Sequence, residues 1–155
     1  MKYSLEQISD RLEIEDLITE YADAVDQADL DRLDAVFTDD AFVDYSAYGG
    51  AVGTYKDARE FLAMSLPLFK HTQHMISNFQ IRLDQDQQGR ATGKIMCFNP
   101  MQLDSSEQVQ PVFFIGLWYL DEYVKTPQGW KIAKRSEISS WNHNTPDFIR
   151  ESFNG

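Results

Sequence analysis

Histidine, aspartate and tyrosine side chains can move protons, and His74, Asp26 and Tyr21 are the three of this 155-residue chain considered first. A histidine titrates near neutrality and can both take and return a proton. A carboxylate at the rim of an apolar pocket can orient an imidazole and stabilise its charged form. A buried phenol needs a hydrogen-bond partner, and a substrate carbonyl oxygen could be that partner. We therefore take these three residues as the catalytic candidates.

Each candidate also has a purely structural interpretation, which the sequence leaves open. His74 could be a partly buried histidine that is hydrogen-bonded in a sheet, and Asp26 an ordinary acid at a helix end in a very acidic protein. Tyr21 could be a core tyrosine with a backbone partner. The other two histidines carry less weight, because His71 is expected at the surface or in a loop and His143 near a C-terminal helix.

Three further residues are candidates for substrate binding. Tyr45 and Tyr48 follow the first predicted strand, and their phenols could face a pocket; Tyr45 is preferred. Arg135 lies on the last long predicted strand. Its guanidinium could hold a substrate carboxylate or ketone, or it could pair with an acid, and neither alternative is favoured.

The first part of the chain is predicted to be helical. Ser4 can cap a long helix, with Gln7 completing a capping box. A short second helix begins near Asp29, and a third begins after Thr54 and ends near Pro67. Along the first helix one apolar stripe recurs at helical spacing, and Asp26 borders it one turn after Ala22. The stripe consists of Ile14, Leu17, Ile18, Tyr21, Ala22 and Val25.

The rest of the chain has the pattern of strands. Strands are predicted at 75–83, 91–98, 112–125 and 130–141, after an earlier one at 41–45, and the tail at 147–153 is predicted to be a short helix. The turn Thr126-Pro127-Gln128-Gly129 separates the last two strands. Helices followed by an antiparallel sheet indicate an α+β fold in which helices cover one face of a curved sheet.

Composition narrows the classes of partner and cofactor. The formal net charge is −11, so a nucleic-acid or anionic membrane partner is not expected. The single cysteine, Cys97, excludes an intrachain disulfide and a cysteine zinc cluster. The N-terminus lacks a signal-peptide pattern, which favours the cytoplasm. No phosphate-binding glycine loop, HExxH, GxSxG or spaced His/Cys set is present, so neither a metal nor a nucleotide cofactor is expected.

Four segments of the sequence resemble SnoaL-like proteins of the nuclear transport factor 2-like superfamily. The resemblance covers about the whole chain, so residues 1–155 are expected to form one domain. It implies a cone-shaped, curved antiparallel sheet wrapped by N-terminal helices around a deep apolar pocket. Within the superfamily the sequence is most similar to scytalone dehydratase and bile-acid 7α-dehydratase. The segments are 12–26, 33–45 with Val36-Phe37-Thr38-Asp39-Asp40-Ala41 at its centre, 71–78, and 129–135.

The resemblance implies roles for the candidate residues. It makes His74 the general base, Asp26 its partner and Tyr21 the phenol that polarises a substrate carbonyl. One departure is that the bile-acid dehydratases carry a second aspartate on the strand corresponding to 91–98. The nearest alignment places Cys97 there, with Asn99 close by. The second acid is therefore missing, and Cys97 itself is expected to be a small apolar core residue.

These implications predict a cofactor-free carbon–oxygen lyase that dehydrates a small, mostly apolar, cyclic hydroxy-ketone or hydroxy-enone. Two alternatives stay open: a double-bond isomerase similar to ketosteroid isomerase, which would use a carboxylate base, and a binding module without turnover. The strand at 112–125 is apolar on both faces, and only one face can line a pocket. A homo-oligomer packed through the sheet is therefore expected, a dimer or trimer by family resemblance.

Overall fold

The structure is a computed structural model that describes residues 3–105 and 110–150 of the chain. It contains four α-helices and seven strands within those residues, with short 3-10 turns at Ser46–Tyr48 and Leu66–Leu68. In chain order the elements are α1 (Leu5–Asp26), α2 (Leu30–Val36), β1 (Phe37–Asp44), β2 (Val52–Thr54), α3 (Tyr55–Ser65), β3 (Phe69–Thr72), β4 (Met75–Leu83), β5 (Arg90–Leu103), β6 (Phe113–Thr126), β7 (Gly129–His143) and α4 (Asp147–Arg150).

The two longest helices begin where local side chains satisfy their free backbone N–H groups. The Ser4 hydroxyl accepts from the Gln7 backbone N–H, and the Gln7 side chain accepts from the Ser4 backbone N–H. Thr54 and Asp57 form the same reciprocal pair at the start of α3. Such pairs satisfy two donors that the helix itself cannot. The predicted caps at Ser4 and Thr54 are thus confirmed.

The strands form one seven-stranded sheet in the order β2-β1-β7-β6-β5-β3, with β4 also paired to β5. The predicted α+β fold with N-terminal helices and a curved sheet is confirmed, and the sheet is not closed into a barrel. One detail is corrected. β1 runs parallel to β7, whereas the other pairs are antiparallel among the described strands, so the sheet is mixed rather than wholly antiparallel. Parallel neighbours need a long connection, and here that connection is most of the chain.

A break in one edge of the sheet positions the residues of interest. β3 and β4 both pair with β5, with Thr72 opposite Met101 and Met75 opposite Phe98. The two residues between these strands therefore lie beside Asn99 and Pro100 without a regular ladder partner. His74 is one of these two residues, so contacts outside the strand ladder determine its position.

Most predicted element positions agree with the structure. The strand at 75–83 has the predicted bounds. β5 and β7 extend beyond the predicted strands by one to five residues at each end, and β6 has the predicted length but is shifted by one residue. The short strands β2 and β3 were not predicted. The predicted C-terminal helix is present as Asp147–Arg150, and 151–153 lie outside the described residues. In the described part of the chain, no helix has the length and apolar character needed to cross a bilayer.

Candidate active site

One largely apolar cavity of about 290 Å³ lies between the helices and the inner face of the sheet. This volume is near the lower end of the range of roughly 300–1,000 Å³ typical of small-molecule sites, which fits a small ligand. Four of the six predicted site residues line it: Tyr21, Tyr45, Tyr48 and His74. The cavity is also lined by Thr72, Asn99 and Glu137. Its apolar wall includes Val25, Phe61, Leu62, Leu66, Phe69, Met101 and Ile115.

Asp26 and His74 form the predicted pair. The Asp26 carboxylate Oδ1 lies 2.6 Å from His74 Nδ1, and its Oδ2 accepts the His74 backbone N–H at 2.8 Å. Both side chains are largely buried, with exposed fractions of 17% for Asp26 and 10% for His74. A carboxylate against Nδ1 keeps a proton on that nitrogen. The lone pair of the neutral ring is then on Nε2, the nitrogen needed for a base.

Asn99 makes the second contact to the imidazole. Its Oδ1 accepts from the Thr72 hydroxyl at 3.1 Å and from the Gln73 backbone N–H at 3.2 Å. This fixes the amide orientation, so Nδ2 is the atom 3.1 Å from His74 Nε2. An amide N–H donates to Nε2 only if that nitrogen carries a lone pair. The Asn99 amide therefore occupies the Nε2 lone pair, and a substrate that gives up its proton to Nε2 must replace this hydrogen bond.

Asn99, rather than Cys97, is the residue of β5 that contacts the imidazole. The correspondence of Cys97 with the family's second aspartate stays a prediction. The break between β3 and β4 lies opposite Asn99, one inward-facing position further along β5. Cys97 is fully buried, and burial raises the pKa of its thiol to about 12. This agrees with its interpretation as a small core residue.

Asn99 thus gives a test of how the resting state of His74 is set. Asn99→Asp would place a carboxylate beside Nε2 and favour the imidazolium, which cannot accept a proton. We expect the rate of proton abstraction at neutral pH to fall about tenfold or more. Asn99→Leu, which is similar in size but adds no charge beside Nε2, should lose less. Proton abstraction can be measured as exchange of deuterium into a bound ketone. Equal losses in the two variants would contradict this role.

Two phenols meet at the wall of the cavity. The hydroxyls of Tyr21 and Tyr45 are 2.9 Å apart, and both side chains are buried. The Tyr21 ring also contacts the His74 ring edge-on, with centroids 6.4 Å apart. Burial raises the pKa of Tyr21, although the Arg135 charge opposes it, and burial raises the pKa of Tyr45 well above its ordinary value. Both phenols are therefore neutral hydrogen-bond donors at physiological pH.

Arg135 lies behind the cavity rather than on its wall. Its guanidinium is fully buried and makes a two-point contact with Asp121, at 2.8 Å and 2.6 Å. It is also 4.0 Å from the Tyr21 ring centroid and 4.1 Å from that of Tyr119. Of the two partners that the sequence left open, the structure shows an acid. Arg135 thus acts on the cavity through the Tyr21 ring, which it positions and polarises.

Tyr48 lines the cavity with its hydroxyl already engaged. That hydroxyl donates to the Gly116 carbonyl at 2.8 Å and accepts from Ser139 at 3.2 Å. These bonds tie the loop after β1 to β6 and β7. Tyr48 therefore offers a ligand its ring more readily than its hydroxyl.

Glu137 is a cavity residue that the sequence reasoning missed. It lies on β7, two residues after Arg135, and is opposite Tyr119 of β6. Burial raises its pKa to about 8, with the nearby Asp44 carboxylate acting in the same direction and Arg135 opposing it. The sequence could have indicated Glu137, because residues two apart on a strand share a face. A strand that directs Arg135 inward also directs Glu137 inward.

Metal ligands do not cluster in this structure. Within residues 3–105 and 110–150, no group of three or more His, Cys, Asp or Glu side chains is arranged to hold a metal ion. The polar groups of the cavity include an imidazole, an amide, hydroxyls, phenols and a carboxylic acid. Such a set can move protons and polarise a carbonyl without a cofactor.

Comparison with known proteins places this arrangement in context. A SnoaL-like domain family matches residues 6–136. The uncharacterized protein Rv2910c of Mycobacterium tuberculosis is 45% identical over 134 residues, which cover 86% of this chain and 88% of that protein. The crystal structure of Kfla4162 from Kribbella flavida is 25% identical, with a TM-score of 0.79 over 92% of this chain and 97% of that one.

Two further solved structures share the fold. A hexachlorocyclohexane dehydrochlorinase, LinA type 2, is 20% identical with a TM-score of 0.75, covering 92% of this chain and 93% of its own. A candidate scytalone dehydratase from Novosphingobium aromaticivorans is 22% identical with a TM-score of 0.73, covering 90% of this chain and 89% of its own. At these identities the likeness concerns the fold.

Proposed function

Because the chain belongs to the SnoaL-like family, we propose that it is a cofactor-free dehydratase acting on a small cyclic hydroxy-ketone or hydroxy-enone. The observation that carries the proposal is the Asp26–His74 pair, which keeps the lone pair on Nε2, beside Asn99, in a histidine that lines an apolar cavity. The names of two structural neighbours, a dehydrochlorinase and a candidate dehydratase, both denote eliminations. They support the class of reaction, while the substrate is inferred from the site.

The reaction begins at the carbon next to the carbonyl. Nε2 of His74 accepts a proton from that carbon, and the C–H electron pair moves into an enolate. Tyr21, supported by its hydrogen bond to Tyr45, donates to the developing oxyanion. Asp26 stabilises the imidazolium that forms.

Elimination completes the reaction. The enolate electrons form the carbon–carbon double bond, the neighbouring C–O bond breaks, and the hydroxyl takes up a proton and leaves as water. The imidazolium of His74 is one source of that proton. The apolar wall limits access of bulk water, which strengthens the electrostatic interactions inside the cavity.

A simple substrate tests this proposal. Loss of water from 3-hydroxy-1-tetralone gives 1-naphthol, whose fluorescence reports turnover directly, and mass spectrometry confirms the loss of water. We expect catalysed formation of 1-naphthol by the wild-type protein and a far slower rate in His74→Ala. A wild-type protein that binds this ketone but leaves it unchanged would support the binding-module alternative instead.

An isomerase is the second candidate, because a carboxyl group does line the cavity at Glu137. An isomerase of this kind would need that carboxyl as its base. The raised pKa of about 8 keeps Glu137 protonated at neutral pH, which disfavours this role. Conversion of 3-cyclohexenone to 2-cyclohexenone, without loss of water, would distinguish the isomerase from the dehydratase.

We also propose that the protein is a homo-oligomer packed through the outer face of the sheet. On that face Phe98 stacks on Phe114 and on Trp141, with ring centroids 5.6 Å and 5.5 Å apart. Trp141 is 47% exposed and Met75 is 52% exposed. A dimer or trimer would cover these apolar side chains. Light scattering at micromolar concentration should give an oligomeric mass, and Trp141→Glu should lower it; a monomeric wild-type protein would refute the proposal.

A further inference from the structure

Glu137 is the one acidic residue among the described residues that line the cavity, and the mechanism above does not use it. Its carboxyl forms no hydrogen bond within the described part of the chain, and the residue is partly buried. An unpaired carboxyl on the wall of an apolar cavity is costly to keep unless a ligand uses it. One step of the proposed reaction could use this carboxyl.

Other residues already supply the base and the hydrogen-bond donors for the carbonyl oxygen. His74 supplies the base, and the Tyr21–Tyr45 pair supplies donors for the carbonyl oxygen. The leaving hydroxyl has no dedicated partner. If His74 alone served both ends, it would have to abstract a proton from one carbon and then deliver it to a hydroxyl on the next carbon from the same side.

Glu137 lies on a different wall from His74. It is on β7, whereas His74 precedes β4, and β6 and β5 lie between these strands in the sheet. Besides burial, two charged residues shift the pKa of Glu137: Arg135 on the same strand lowers it, and Asp44 of β1 raises it. A negative charge on Glu137 in turn contributes to raising the pKa of groups on the neighbouring elements, namely Tyr119 of β6, Cys97 of β5, Tyr21 of α1, and Tyr45 and Tyr48 after β1.

We propose that Glu137 is the general acid that protonates the departing hydroxyl, so that His74 and Glu137 act on opposite ends of the eliminated H–C–C–OH unit. This inference rests on the proposed dehydratase function. The Glu137 carboxyl proton moves to the hydroxyl oxygen as the C–O bond breaks, which releases water and leaves Glu137 as the carboxylate. His74 then holds the proton taken from carbon. Water that enters after product release returns that proton from the imidazolium to Glu137.

Acid strength supports this assignment. An effective general acid is protonated at the working pH and yet gives up its proton readily, so its pKa should lie near that pH. Glu137, with a pKa raised to about 8 by burial, meets this condition. Burial raises the pKa of the cavity phenols Tyr21 and Tyr45 above 10, so they donate hydrogen bonds but transfer protons poorly. The same acid would make the site selective for hydroxyl as the leaving group.

The test compares two leaving groups on one ring system. Loss of water from 3-hydroxy-1-tetralone and loss of HCl from 3-chloro-1-tetralone both give 1-naphthol, but chloride leaves without a proton. We expect Glu137→Gln, which keeps size and polarity but cannot transfer a proton, to slow the hydroxy substrate by about 10²-fold or more and the chloro substrate by less than about threefold. The wild-type rate on the hydroxy substrate should fall above about pH 8, and its rate on the chloro substrate should not.

Glu60→Gln, at an exposed residue of α3, is the matched control and should leave both rates unchanged. Equal losses on the two substrates in Glu137→Gln would overturn the role of Glu137 while leaving the dehydratase proposal standing. The absence of wild-type turnover on both substrates would overturn the dehydratase proposal, and this inference with it.

Discussion

Replacing His74 with alanine should reduce turnover of 3-hydroxy-1-tetralone by about 10³-fold or more, to the limit set by the remaining groups of the cavity. The fold should survive, because His74 lies outside the ladder pairs of the sheet. The measurement is steady-state 1-naphthol production, with thermal unfolding as the check on folding. Full activity in His74→Ala would contradict the proposed mechanism.

Asp26→Asn should cost at least about 10²-fold, although it changes only one atom. The Asp26 carboxylate accepts the His74 backbone N–H with one oxygen and faces Nδ1 with the other. An asparagine would keep its single oxygen on the backbone N–H and turn its amide NH₂ toward Nδ1. The ring would then carry its proton on Nε2, where the base needs a lone pair.

Two controls make this prediction specific. Asp23→Asn changes an exposed acid less than one turn earlier on α1 that pairs with Arg32, and it should leave turnover unchanged. The double variant of His74→Ala and Asp26→Asn should be little slower than His74→Ala alone, because the two residues act as one unit. Multiplicative losses would contradict the pair.

A large effect on stability is expected at the buried Arg135–Asp121 pair. Arg135→Met should lower the free energy of unfolding by about 3–5 kcal/mol, because it leaves the Asp121 carboxylate buried without its partner. Both side chains are fully buried, and Asp121 also accepts from the Tyr123 hydroxyl at 2.7 Å. Replacing both partners, as Arg135→Met with Asp121→Leu, should recover much of the loss. Urea unfolding monitored by tryptophan fluorescence measures both.

Lys134→Met is the matched control at the adjacent residue of β7. Lys134 pairs with Glu122 at 3.4 Å, and both side chains are about half exposed. An exposed pair contributes about 1 kcal/mol or less, so this change should have little effect. A loss below about 1 kcal/mol in Arg135→Met would show that the buried pair is not the stabilising contact we infer.

The sequence predicted the elements that local chemistry defines. The caps at Ser4 and Thr54 involve residues three apart, and the strand at Met75–Leu83 follows from alternation along one segment. The parallel pairing of β1 with β7 joins segments about ninety residues apart, and no local pattern encodes it. The same limit explains β3, whose ladder is made only with the far end of β5.

The candidate site likewise contains residues that the sequence could identify and contacts that it could not. His74, Asp26 and Tyr21 were identifiable from residue type, position and resemblance, and the structure brings them together. The contact of Asn99, rather than Cys97, with the imidazole depends on where the sheet edge breaks, which only the three-dimensional pairing reveals. Arg135 and Glu137 share one face of β7, yet their surroundings differ. Arg135 contacts Asp121 of the neighbouring strand, whereas Glu137 lines the cavity, and the sequence of β7 alone does not distinguish the two cases.

The parallel pairing of β1 and β7 has a consequence for folding. Tyr45 follows β1 and Glu137 is on β7, so two walls of the cavity meet only after the first and last strands have paired. Contacts so distant in sequence are entropically expensive to form early, and chains rich in them fold slowly. During synthesis, the helices and the first strands would leave the ribosome with their apolar faces uncovered. Ligand binding should therefore be among the last properties that a growing chain acquires.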